Sequence, residues 1–283
     1  MGFPMAGHLA QAGHEVRVFN RTRSKAESWC ETYSSESAPA ETPAEAAAGA
    51  DLIMTCVGND DDLRSVILGS DGAVYGMKAG SILVDHTTAS AQIAREFAHT
   101  LSEKKLGFID APVSGGEQGA VNGQLTIMCG GESDAFANAK GVLSCYARQV
   151  TLMGPAGNGQ LTKMVNQICI AGLIQSLAEG IDFSINAGLD PYLVFDVISK
   201  GAAQSWQMVN RHKTMIEDQY EHGFAVDWMR KDLAICLDEA RHNGSNLPIA
   251  ALVDQFYSEV QQIGGSRWDT SSLLKRLQKN RQP

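Results

Sequence analysis

Basic residues are scarce in this chain and never clustered. Lys and Arg number 23 against 32 Asp and Glu, a formal net charge of −9. Phosphate backbones are bound by grouped Lys and Arg, so no nucleic-acid partner is expected. No unbroken apolar run approaches the roughly 20 residues that span a bilayer, and no membrane partner is expected. A basic start, apolar core and small-residue cleavage site, the marks of a secretory signal, are missing as well. The six cysteines (Cys30, Cys56, Cys129, Cys145, Cys169 and Cys236) form no C-x-x-C pair. That spacing argues against a structural metal and for a reducing, cytoplasmic compartment. What is present is an ordinary globular composition, 44% apolar and 19% charged, over 283 residues. Such a length suffices for two domains with their own cores.

The pattern along the chain changes character once. Up to about Met153, short β-like runs alternate with helical stretches. Strands are predicted at residues 15–19, 51–57, 81–85, 107–113, 124–129 and 149–153. Helices are predicted at 43–48, with Pro43 at its start, and at 91–104, with Ser90 as N-cap. Alternation of this kind predicts a doubly wound, largely parallel sheet. From Gly157 onward the pattern is helical. A proline-free stretch predicts one helix over 160–187, long enough to connect two domains. Asp190-Pro191 predicts the next helix start. Further helices are predicted at 206–215, 226–241 and 248–263.

Two segments carry the chemistry. Asp110-Ala111-Pro112-Val113-Ser114-Gly115-Gly116 reads as a strand running into a loop of small residues. Its glycines let backbone N–H groups approach an anion, and Ser114 adds a hydroxyl; a tight turn without ligand is the alternative. Gly157-Asn158-Gly159 reads as a helix start, followed by Lys163, Asn166 and Gln167. Lys163 and Asn166 are three residues apart and share a helix face. Lys163 is either a solvated surface lysine or a buried one whose desolvation suits it to proton transfer.

Other segments suit a dinucleotide site. Gly2, in Met1-Gly2-Phe3-Pro4-Met5-Ala6, is placed like the glycine that lets a helix pack on its sheet. Asn20-Arg21-Thr22 follows the predicted strand 15–19, where Rossmann domains meet the adenosine ribose. An arginine there accommodates a 2′-phosphate, whereas Asn20 or Thr22 has the alternative of capping the next helix. Val57-Gly58-Asn59-Asp60 and Asp85-His86-Thr87-Thr88 each follow a predicted strand at its carboxyl end. Local turn bonding is the alternative for Thr87 and Thr88.

These strings, in this order, resemble the β-hydroxyacid dehydrogenase family, which includes 3-hydroxyisobutyrate dehydrogenase, tartronate semialdehyde reductase and glyoxylate/succinic semialdehyde reductase. The resemblance runs from Gly2 to about Leu274. It implies an α/β Rossmann-type doubly wound parallel sheet over 1–156 and an all-α domain over 157–283, joined by a long helix. Gly2 matches the third glycine of the family's fingerprint. The chain is accordingly expected to enter that fingerprint partway, without the first strand and the G-x-G turn. A gap in the sheet and weak cofactor binding are expected consequences.

The resemblance also implies roles. Lys163 is the catalytic lysine and Asn166 its amide partner. Ser114, Gly115, Gly116 and Gln167 hold the substrate. Gly2, Asn20, Arg21, Thr22, Val57, Gly58, Asn59, Thr88 and Lys231 line the cofactor, with NADP(H) preferred and NAD(H) possible. His86 falls where the family varies and is expected to be non-catalytic. The substrate is expected to be a small carboxylate-bearing aldehyde or hydroxy acid, and the assembly a homodimer or homotetramer built through the helical domain. Two other readings stand beside this one. A catalytically silent, dimerising ligand-binding relative has no need of intact Lys163, Asn166 and Ser114. A 6-phosphogluconate-type dehydrogenase needs a basic cluster for a phosphate, and none accompanies Lys163.

Overall fold

The computed structural model describes residues 1–33 and 38–278. Positions 34–37 and 279–283 of the two expected domains lie outside the described residues. The chain forms two compact units, Met1–Lys163 and one that begins at Met164.

The first unit opens with helices α1 (Gly2–Gln11), α2 (Arg23–Tyr33) and α3 (Pro43–Ala47). There follow β1 (Leu52–Thr55), α4 (Asp60–Leu68), β2 (Ile82–Asp85), α5 (Ala91–Glu103), β3 (Gly107–Asp110) and β4 (Val113–Ser114). Then come α6 (Gly116–Val121), β5 (Leu125–Gly131), α7 (Ser133–Leu143) and β6 (Ala147–Leu152). Successive strand side chains point to opposite faces, and both faces are covered. Ile53, Leu83 and Phe108 pack with Leu63 and Ile67 of α4 and Phe97 and Leu101 of α5. Ile82, Val84 and Ile109 pack on the other side with Met5 and Leu9 of α1 and Leu143 of α7. A sheet buried on both faces is the Rossmann-type arrangement.

The strand order is β1-β2-β3-β5-β4, with β6 also paired to β5. β1, β2 and β3 are parallel, but β5 runs antiparallel to both β3 and β4. The sheet is therefore mixed, where alternation alone suggested a largely parallel one. Two strand assignments are also corrected. The predicted strand 107–113 is two strands, broken at Ala111-Pro112, where proline has no N–H for a ladder. Residues 14–20 form no strand. A strand needs a partner edge, and among the described residues this segment has a single backbone bond to Ala40, whose N–H donates to the Val18 carbonyl, rather than a ladder.

Helix α8 (Asn158–Asn186) crosses from the first unit into the second. It is long and apolar enough to cross a membrane by length and composition alone. The core helix of a globular unit meets the same test, and α8 gives Ala171, Ile174, Ala178 and Ile181 to the core of the second unit. That unit continues with α9 (Pro191–Ile198), α10 (Trp206–Ile216), α11 (Val226–Asn243), α12 (Pro248–Gln262) and α13 (Leu273–Gln278). Phe195, Met229, Leu233 and Tyr257 fill the same core. The carboxylate of Asp254 on α12 accepts two bonds from the Arg230 guanidinium on α11, at 2.9 and 3.2 Å.

Candidate active site

In the first unit, the end of β3 meets the start of α8. Asp110 is fully buried. Its Oδ1 accepts the Gly157 N–H and its Oδ2 accepts the Gln160 N–H, both at 2.8 Å. Burial nevertheless pushes its carboxyl up to about 6, against the pull of those N–H groups. The approach is close enough to exclude side chains. A Cβ on Gly159 would lie 2.7 Å from Asp110 Oδ2 and 2.4 Å from the Met128 carbonyl oxygen. A Cβ on Gly130, which pairs with Asp110 across β3 and β5, would lie 2.5 Å from Asp110 Oδ1.

Gln160 ties the same helix start to the loop after β2. Its Oε1 accepts the Ala89 N–H at 3.0 Å, and its Nε2 donates to the Thr87 carbonyl at 2.7 Å. The Thr87 hydroxyl accepts the Val57 N–H at 3.0 Å, a bond to the loop after β1 rather than the local turn bonding weighed for that residue. Lys163 follows Gln160 by three residues on α8 and is buried, 8% exposed. Ser114 is half-buried at the end of β4. Gly115 and Gly116 take φ of 128° and 62°, the left-handed region that glycine adopts without strain.

His86 is engaged at both ring nitrogens. Nδ1 lies 2.7 Å from the Ala111 carbonyl and Nε2 lies 2.9 Å from the Tyr146 hydroxyl. Burial lowers its pKa to about 4, so it is neutral near pH 7. With Nδ1–H donating to Ala111, Nε2 accepts from Tyr146. Asp85 accepts from the Thr55 hydroxyl and the Thr87 N–H, and burial pushes its carboxyl up to about 7.

Most of the predicted cofactor residues gather around one cavity. It has a volume of about 1580 Å³ and is lined by Gly2, Asn20, Arg21, Thr22, Val57 and Gly58, among others. Asn59 and Thr88 do not line it. Asn59 instead caps α4, accepting the Asp62 N–H, and Thr88 is half-buried on the loop after β2. The cavity also follows β1, whose outer edge is paired by no strand among the described residues. Ordinary small-molecule sites occupy about 300–1,000 Å³, so this space exceeds one.

The donor set fits a dinucleotide. The first turn of α1 has no acidic residue and no side-chain cap, leaving backbone N–H groups for an anion. A Cβ on Gly2 would meet the Cys56 Cβ at 3.7 Å, so the helix start packs closely beside β1. Arg21 is exposed and pairs with Asp62 at 3.1 Å. Asn20 Oδ1 accepts the Thr22 N–H at 2.9 Å, a local turn just before α2. Among the described residues, no group of His, Cys, Asp and Glu is arranged to hold a metal.

In the second unit, four residues form one polar chain. Asn166 Nδ2 donates to Gln167 Oε1 at 2.8 Å, and Gln167 Nε2 donates to Asp232 Oδ2 at 2.6 Å. Asp232 Oδ1 pairs with Lys231 Nζ at 3.0 Å, and that ammonium stands 5.9 Å from the centre of the Trp228 ring. The structure thus joins Asn166, Gln167 and Lys231, three residues expected at the site, through a buried carboxylate. Asp232 carried no role in the sequence reading, nor did Asp110 or Gln160. The available signal was an acidic residue beside each motif that is otherwise small or basic.

Comparison with known proteins places both units. Residues 1–154 match the family model of the NAD-binding domain of 6-phosphogluconate dehydrogenase. Residues 157–277 match the model described as NAD-binding of NADP-dependent 3-hydroxyisobutyrate dehydrogenase. The chain is 63% identical over 281 residues to an uncharacterized oxidoreductase of Shewanella frigidimarina, covering 99% of this chain and 96% of that one. It is 32% identical over 278 residues to the 2-hydroxy-3-oxopropionate reductase of Escherichia coli, covering 98% and 94%. Among solved structures, the 3-hydroxyisobutyrate dehydrogenase of Salmonella typhimurium superposes with a TM-score of 0.86 at 28% identity, covering 97% and 95%.

Proposed function

Since this chain belongs to the β-hydroxyacid dehydrogenase family of NAD(P)-dependent oxidoreductases, we propose that it transfers hydride between NADP(H) and a small β-hydroxy acid or semialdehyde. The 3-hydroxyisobutyrate and 2-hydroxy-3-oxopropionate types are the substrates to try first. One observation carries the reading: a lysine is buried one turn into a helix whose start is locked to the strand that leads into Ser114-Gly115-Gly116.

The cofactor, when bound, supplies or accepts the hydride. The chain's own groups do the rest. Gly2, Arg21, Thr22, Val57 and Gly58 hold the dinucleotide, with Asn20, Asn59, Thr88 and Lys231 as further contacts drawn from the family resemblance. The Arg21 guanidinium favours a 2′-phosphate. The hydroxyl of Ser114 and the N–H groups of Gly115 and Gly116 receive the substrate carboxylate. In the reductive direction, Lys163 Nζ gives a proton to the carbonyl oxygen as the hydride reaches its carbon. In the oxidative direction Nζ takes that proton back. Asn166 and Gln167 orient the substrate. Orientation and stabilisation of one developing charge account for the rate.

Helices α8 and α9 and the turn between them expose Leu173, Phe183, Leu189, Leu193 and Val197. Large exposed apolar patches mark interfaces, which supports a homodimer or homotetramer built through the helical domain. A cytoplasmic location suits the free cysteines.

A panel of small semialdehydes and hydroxy acids, assayed with both cofactors, tests the reading. Lys163→Ala is expected to lower kcat on the preferred substrate by about 10²–10⁴-fold, the usual worth of general acid–base catalysis. Cofactor affinity should change little. Near-normal kcat in that variant overturns the assignment.

A further inference from the structure

The bonds around the start of α8 do more than end a helix. Asp110 holds two N–H groups of its first turn, and Gln160 joins the same turn to Thr87 and Ala89 in the loop after β2. Helix starts are ordinarily capped by the residue just before them. Here the cap comes from 47 and 50 residues upstream. It belongs to the strand that opens the Asp110-to-Gly116 string, four residues before Ser114. Gly159 and Gly130 clear the space for its two oxygens. Lys163 is the next helical neighbour of Gln160.

We propose that Asp110 and Gln160 are positioning residues for Lys163. They fix the first turn of α8 against the ends of β2 and β3, so that the lysine and the Ser114–Gly116 loop keep one geometry. The inference rests on the proton-transfer role of Lys163 given above. Neither residue touches substrate or cofactor in this account; each acts through the helix. A misplacement of about 1 Å at a catalytic group costs up to about 10²-fold in rate, which sets the scale of the effect.

The ionised form of Asp110 is the one that accepts from both N–H groups without needing an acceptor of its own. Its carboxyl is pushed up to about 6, so protonation below that pH loosens the bracket. The titratable groups around it are Asp85 on β2 and the Cys129 thiol on β5, which burial pushes up to about 12. From α8 it meets backbone N–H groups. Arg95 of α5 lies beside Gly157, where an added Cβ would meet its Nε at 3.1 Å.

The experiment compares Asp110→Asn and Gln160→Ala in the wild-type and the Lys163→Ala backgrounds. The substrate is 2-hydroxy-3-oxopropionate, or the panel substrate with highest turnover, and cofactor binding is followed by fluorescence. Asp110→Asn should lower kcat by about 10–100-fold and Gln160→Ala by about 3–10-fold, with cofactor Kd and substrate KM within about threefold of wild type. In the Lys163→Ala background both losses should nearly vanish, because no lysine is left to position. A loss that persists there is a folding defect and overturns the proposal. The acid limb of kcat near pH 6 should disappear in Asp110→Asn. If Asp110→Asn does not fold, Gln160→Ala decides, and unchanged kcat in it overturns the proposal. Normal turnover by Lys163→Ala sinks the reading of the site itself. An inactive Lys163→Ala beside a normal Asp110→Asn sinks only the bracket.

Discussion

Gly159→Ala and Gly172→Ala make the same chemical change on the same helix, and the structure assigns them opposite signs. A Cβ at 159 would stand 2.4 Å from the Met128 carbonyl oxygen, 2.6 Å from the Asp110 carbonyl oxygen and 2.7 Å from Asp110 Oδ2. Two of these oxygens belong to the backbones of β5 and β3, and the third is part of a carboxylate held by one hydrogen bond at each oxygen. None yields easily, so the helix start must retreat by roughly 0.6–1 Å to reach an ordinary carbon–oxygen distance of about 3.3 Å. That retreat stretches the 2.8 Å bonds from Gly157 and Gln160 to the carboxylate. Bonds to a charged group are worth about 1.5–3 kcal/mol each, while alanine regains up to about 1 kcal/mol of helix propensity. The net cost is about 2–5 kcal/mol. At Gly172 the added methyl would meet only Ile249 Cγ2 at 3.6 Å, an ordinary contact. There the loss of glycine's backbone freedom in the unfolded chain stabilises by about 0.5–1 kcal/mol. Urea unfolding followed by fluorescence measures both, since Trp29 reports the first unit and Trp206, Trp228 and Trp268 the second. A Gly159→Ala variant as stable as wild type refutes the oxygen cage, and the bracket argued from it falls too.

Asp85 gives a pH test. Burial lifts its carboxyl from 3.8 to about 7, so the folded state keeps a proton that the unfolded chain has released. Its contribution to stability is full below about pH 4 and is lost as pH rises through about 7, by at most roughly 4 kcal/mol. Relative to Asp85→Asn, wild type should lose stability between pH 5 and 8, and a flat difference in urea midpoints would contradict the assignment. Arg21→Ala should erase a preference for NADP(H) of about tenfold or more in kcat/KM, the worth of a charge-assisted bond. The Arg21–Asp62 pair is exposed on the arginine side and contributes at most about 1 kcal/mol, so Asp62→Ala should leave the preference intact. Equal kcat/KM for the two cofactors in wild type would end the case for Arg21.

Local chemistry was legible in the sequence, and pairing at a distance was not. Ser90 caps α5 by accepting the Ile93 N–H, and Asp190 caps α9 by accepting the Tyr192 N–H before Pro191 at its first position. Each cap is written within four residues. The long helix expected over 160–187 is α8, because nothing in that stretch breaks a helix. Alternation identifies strands but carries no direction, so the antiparallel course of β5 was invisible. Residues 15–19 alternate like a strand, yet alternation supplies no partner edge, and none pairs them in the described chain.

The same division runs through the site. That Lys163 and Asn166 share one helix was legible because they sit three apart in a stretch that nothing breaks. The glycines of Gly157-Asn158-Gly159 were read as a lead-in to that helix, while the general use of glycine at such sites is close approach to a ligand. The structure gives Gly159 another neighbour. Its missing side chain makes room for the chain's own Asp110, and Gly130, on the paired strand β5, does the same beside the other carboxylate oxygen. One buried carboxylate therefore accounts for small residues at two places that the sequence keeps 29 positions apart, as 159 less 130. It also explains why an acidic residue heads a string otherwise built of small and apolar ones. Asp110 is the residue of that string that reaches the start of α8.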